Sequence, residues 1–223
     1  MLFGIGVAIF GPAETVKSPM RRLADLSLQP RFGVPQEIRL AFLSPAVTAF
    51  VTFALIDFCA ALIPSLLNES LQQRSPLVAG AVVFALFVIA TATAAVTSKL
   101  QSRSAMLSGL GLLPPSLMLL VAAQLWRSMP LLLLATLLGG ISAALGYRGG
   151  LEVVNPIAPS DKRSEVVSSY LIAVYLGNSL PIIGIRLLSD LVNSIAAHLV
   201  FAVIIGLLAA VAFVTGMKYP PQQ

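Results

Sequence analysis

Residues 77–97 read LVAGAVVFALFVIATATAAVT, 21 consecutive positions without a charged side chain. A helix of about that length crosses the roughly 30 Å hydrocarbon core of a bilayer. A barrel strand would instead show strict alternation over roughly ten residues, which this run does not. Five further apolar runs flank it, at Leu40–Leu67, Ala105–Leu125, Leu131–Tyr147, Val166–Leu188 and Leu191–Met217. The chain of 223 residues is 57% hydrophobic and 10% charged, with a mean hydropathy of +0.93. A soluble domain carries about 25% charged residues, so the solvent for most of these side chains is lipid. Backbone polar groups in lipid must be satisfied within the protein, and long helices do this. The expected fold is an all-α membrane protein with six transmembrane helices.

The segments outside the six runs divide the chain. Residues 1–16 are apolar but are interrupted by Gly11, Pro12 and Glu14, and they read as part of a transmembrane helix. A secretory signal would place its positive charges ahead of the apolar stretch, whereas Lys17, Arg21 and Arg22 follow it. Residues 17–39 form a polar linker rich in proline and arginine, with room for a short surface helix around Met20 to Leu26. Residues 40–217 hold the six spans, and 218–223 are a tail. The spans are joined by 68–76, 98–104, 126–130, 148–165 and a tight turn at Ser189-Asp190.

Six spans put the linker and the tail on the same side of the membrane. The linker with Arg39, the loop with Lys99 and Arg103, the loop with Arg148, Lys162 and Arg163, and Lys218 hold eleven of the fourteen Lys and Arg residues. Arg74, Arg127 and Arg186 fall on the other face. Basic residues gather in cytoplasmic loops, so the linker, the tail and the loop with Arg163 and Glu165 are expected in the cytoplasm. The net charge of +5 is explained by this topology, because the basic residues form no single patch for nucleic acid. Trp126 at a span end fits an interfacial aromatic. Cys59, the one cysteine, lies inside an apolar run, which excludes an intrachain disulfide.

Within the spans, Pro114, Pro115 and Pro181 each remove an amide donor and release a carbonyl one turn back, making these places to bend. Gly139-Gly140 with Ala143-Ala144 makes two overlapping small-xxx-small patterns that let helix backbones approach.

Asp57 is the prominent polar residue, seventeen positions into its span and surrounded by Phe53, Leu55, Ile56, Phe58 and Cys59. A charge at the bilayer centre costs roughly 2.5–3.5 kcal/mol on insertion scales unless it is protonated, paired or wetted. Asp57 is therefore a candidate proton carrier, and the alternative is a hydrogen bond to a neighbouring helix or simple wetting in a cavity. Tyr170, Tyr175 and Asn178 share a span with Pro181; they could line a polar path or link helices. His198 and Arg186 sit near span ends, where they can reach the interface. No HExxH, GxSxG or phosphate-binding glycine loop is present, and one acid cannot make an aspartyl dyad, so no enzyme, metal or cofactor is expected.

Several strings resemble the C-terminal half of a major facilitator superfamily transporter. Gly11-Pro12-Ala13-Glu14-Thr15-Val16 is similar to a Pro-Glu-Thr-Val ending after the sixth helix of bacterial members, with one inserted Ala. Phe53-Ala54-Leu55 and Ala60-Ala61-Leu62-Ile63-Pro64-Ser65 resemble their seventh helix. Ala158-Pro159, Arg163 to Tyr170 and Tyr175-Leu176-Gly177-Asn178-Ser179-Leu180-Pro181 resemble the tenth-to-eleventh loop and the eleventh helix. The loop of Lys99 and Arg103 lacks the Asp of the family's gating motif, and the subgroup has Gly where this chain has Asp57.

The resemblance implies two inverted three-helix units, 40–125 and 131–217, and alternating access against a complementary six-helix half. That half would be a missing N-terminal one or a second copy. The implied activity is proton-coupled export of a small organic solute across a bacterial cytoplasmic membrane. The first five helices of the family are missing here, so the chain alone is expected not to transport. A non-transporting membrane scaffold or inactive fragment is the alternative, and convergence of Asp57, Tyr175 and Asn178 on one face would discriminate between them.

Overall fold

The computed structural model describes residues 33–73, 75–191 and 193–218, and in this range the protein is all α. The partial helix at 1–16 and the surface helix around Met20 to Leu26 lie outside the described residues. A short 3-10 turn leads into α1 (Arg39–Ser65), whose final turn widens into a π-turn at Leu66–Ser70. Then follow α2 (Pro76–Val96), α3 (Ser102–Trp126), α4 (Met129–Ile157), α5 (Arg163–Leu191) and α6 (Ser194–Lys218). All six are long and apolar enough to cross a membrane, as the run lengths predict.

Local chemistry sets several ends. Pro76 opens α2 behind Ser75, where its missing N–H is no loss. Arg127 takes a left-handed conformation, with φ 51°, and closes α3 by donating its N–H to the Ala123 carbonyl. Asn193 caps α6, its Oδ1 accepting the Ala196 N–H at 2.8 Å. This cap moves the start of the last span from the expected Leu191 to Ser194, and α5 runs through the expected Ser189-Asp190 turn.

The larger departure is in α4, which continues ten residues past Tyr147, through a stretch whose charges suggest a loop. Arg148 and Glu152 are one helical turn apart and form an ion pair at 2.8 Å. Arg148 also donates to the carbonyls of Thr97, Ser98 (3.1 Å) and Leu100 (2.8 Å), and Ser102 Oγ donates to Glu152 at 2.9 Å. The pair thus serves the carbonyl end of α2 and the first turn of α3, which lipid could not do. Arg103 acts similarly on α6, donating to the carbonyls of Gly216 (3.2 Å) and Met217 (2.9 Å).

The helices pack through small residues, as expected where lipid is no less apolar than the helix surface. The most extensive interface joins α3 and α4. A Cβ on Gly109 would run into the backbone of Gly146, and one on Gly149 would run into that of Met106. Ser142 Oγ donates to the Gly109 carbonyl at 2.8 Å, and Ser116 Oγ to the Ala135 carbonyl at 3.1 Å. Partners repeat between the first three helices and the last three: α1 packs on α5 as α4 packs on α2, and α1 packs on α6 as α4 packs on α3. α1 and α4 form the centre, with 56% and 50% of their apolar stretches buried, against 11% for α2 and 17% for α5.

Candidate functional site

The site is built on α1. One side of this helix is hidden, with Val51, Ala54, Leu55, Phe58, Cys59 and Leu62 in the main core. The other side carries Phe50, Phe53, Asp57, Ala61 and Pro64, spaced by four or three residues, and these are only partly buried or exposed. Asp57 therefore belongs to the open stripe of the most central helix. The apolar helix spans Gln36–Asn68, so its midpoint is residue 52. At 1.5 Å per residue, Asp57 lies about 7–8 Å beyond that midpoint.

One carboxylate oxygen of Asp57, Oδ2, is shut off from solvent and has no hydrogen-bond partner among the described residues. The Arg148–Glu152 ion pair lies elsewhere, beside the α2–α3 turn, and does not involve Asp57. A buried polar atom without a partner costs roughly 1–3 kcal/mol, more if charged, and it marks a place where a proton or a ligand would be welcome.

One turn before Asp57 in α1, an aromatic group closes the N-terminal half of the stripe. Phe53 meets Tyr147 edge-on, with ring centroids 5.3 Å apart, and Tyr147 lies 6.3 Å from Tyr170. Tyr147 was not a candidate in the sequence, where it ends an apolar run. Tyr170 is fully buried with Phe42, Ala49, Val154 and Val166, and its hydroxyl donates to the Tyr147 carbonyl at 3.0 Å. It thus ties α5 to α4. Gly150 supports the tie, since a Cβ there would stand 2.9 Å from the Tyr170 hydroxyl oxygen.

Tyr170, Val174, Gly177 and Pro181 form the buried face of α5. Gly177 sits so close to α1 that a Cβ would collide with the Phe50 carbonyl. Asn178, the next residue, is half-buried beside this contact, and Tyr175 is 67% exposed on the outer side of α5. Tyr175 and Tyr170 are thus on different faces, and Asn178 is nearer the α1 contact. On the opposite side of α1, the buried His198 faces Phe58 with centroids 5.8 Å apart, and its Nδ1 lies 3.3 Å from Gln124 Nε2.

The remaining candidates have defined places. Pro114 and Pro115 lie inside an unbroken α3, and Pro181 inside α5. Gly139 packs against Ser116, Leu86 and Cys59, and Gly140 against the Leu86 carbonyl and Ile89. Lys99 and Arg163 are exposed, and Glu165 is half-buried at the start of α5. No carboxylate is present in the 98–104 segment, but Glu152 of α4 brings one to it.

No protein-family model matches the chain, and no curated protein matches it. What the spans and their apolar surfaces establish is the class: the chain is an integral membrane protein with six transmembrane helices among the described residues.

Proposed function

We propose that the chain is one six-helix half of a transporter of the major facilitator type. It exports a small organic solute by alternating access, with Asp57 carrying the coupled proton. The observation that carries this reading is the solvent-excluded, unpartnered Asp57 oxygen on the open stripe of the central helix. Such a group is stable when protonated in dry surroundings and releases its proton when a cavity admits water.

Three further features support the reading. The strings Arg163 to Tyr170 and Tyr175 to Pro181 that resemble the family both fall on α5, which packs against α1 beside the stripe. α2 and α5, equivalent in the two units, are the least buried helices, which suits elements that meet a complementary half. The charge bias supports a cytoplasmic side for the linker and the C-terminal end. A scaffold without a path is favoured by one observation, the separation of Tyr175 from the stripe on the outer side of α5.

Everted vesicles prepared from the native membrane, in which the protein is assembled with its complementary half, and carrying an acidified lumen, provide the test. Adding a transported solute from a panel of small aromatic and cationic compounds should dissipate the pH gradient, as protons leave the lumen in exchange for solute. A gradient unaffected by every compound, at normal levels of inserted protein, would overturn the proposal.

A further inference from the structure

A groove of about 390 Å³ lies between α3 and α6, away from the Asp57 stripe. Its walls are carbon: Pro114, Leu117, Met118 and Val121 from α3, and Leu199 and Val203 from α6. Met118 is 72% exposed and Val203 59%, so in a membrane the groove opens directly to lipid. Gly206 also lines it, and a Cβ there would meet nothing within 4 Å.

Length, depth and charge identify the occupant. The α3 wall runs from Pro114 to Trp126, a rise of about 18 Å along the helix. One leaflet contributes about half of the roughly 30 Å hydrocarbon core. The groove therefore matches one acyl chain from headgroup level to the bilayer middle. At its outer end stands Trp126, 74% exposed and suited to the interface, followed by the exposed Arg127 in the turn that closes α3. A guanidinium at headgroup level complements a lipid phosphate.

We infer that this groove is a binding site for one phospholipid of the adjacent leaflet, with an acyl chain along α3 and α6 and the phosphodiester at Arg127. The site is independent of any transport activity.

Trp126 is the only tryptophan of the chain, so its fluorescence reports the groove directly. The protein in maltoside detergent is titrated with phosphatidylglycerol brominated on one acyl chain. Quenching should saturate near one lipid per chain. Gly206→Leu fills open space and should reduce the quenching severalfold at matched lipid. Arg127→Asn removes the charge while tolerating the left-handed backbone, and should weaken apparent affinity about fivefold, the value of one basic residue at a lipid surface. Arg127 is in an exposed turn, so its variant tests the site even if Gly206→Leu does not fold. Quenching that rises in proportion to bulk brominated lipid, and equally in wild type and Arg127→Asn, would overturn the inference.

Discussion

Replacing Asp57 with Asn should abolish solute-dependent proton movement while leaving the amount of inserted protein unchanged. The amide has nearly the shape of the carboxyl group but cannot carry the proton. Insertion should not suffer, since Asn removes an acid whose charged form costs up to roughly 2.5–3.5 kcal/mol, the value at the helix centre. Asp57 is part of no ion pair among the described residues, so its replacement orphans no cation. The expected outcome is therefore a functional loss without a folding loss, measured as dissipation of the pH gradient in everted vesicles at matched protein. Undiminished proton movement in the variant would reduce Asp57 to a packing residue. Lower insertion would instead assign it a structural bond.

The second large effect is on folding. Gly149→Leu should reduce the yield of monodisperse protein severalfold and lower its melting temperature in detergent. A side chain at 149 meets the backbone of Met106 and the Ser102 carbonyl, and backbone cannot move to another rotamer. Overpacking typically costs 1–3 kcal/mol, and a rigid obstacle puts this case at about the upper end. Separation of α3 from α4 would also pull Ser102 from Glu152, loosening the Arg148 cluster that satisfies the end of α2. Gly80→Leu is the control, because a Cβ there meets nothing within 4 Å and leucine favours helix over glycine. Its melting temperature should equal or exceed that of wild type. Equal melting for Gly149→Leu would mean that α3 and α4 are not in the described contact.

Run lengths made the six helices legible, because the bilayer fixes a minimum length that few other constraints imitate. Charge misled at α4. Arg148 and Glu152 resemble loop residues when read singly, and only their four-residue spacing hints that they pair on a helix. Their hydrogen-bond partners, fifty residues away in the α2–α3 turn, are beyond any local reading. The close-packed glycines were partly legible. Ala135, Gly139, Ser142, Gly146 and Gly149 recur at alternating intervals of four and three along α4, a stripe longer than the pair of patterns at 139–144. Gly109 has no such context, since its role is defined by Gly146 across the interface. For the site, the depth of Asp57 could be read from its place in the run. That Tyr170 is a buried tie and Tyr175 an outward one could not, because both are tyrosines on one apolar helix and only the neighbouring helices distinguish them.

The central claim is that the Asp57 stripe borders a path that water reaches, not lipid. It is tested by placing a cysteine at this position, Asp57→Cys, in a Cys59→Ser background, so that one thiol remains. A membrane-impermeant, water-soluble maleimide is then applied to right-side-out and to everted vesicles. Thiol alkylation proceeds through the thiolate, which forms in water and not in hydrocarbon. The account predicts labelling from both sides, with the balance between them shifted by a transported solute. No labelling from either side, with the same reagent reacting at a cysteine placed at the exposed Lys99, would put the stripe against lipid and contradict it.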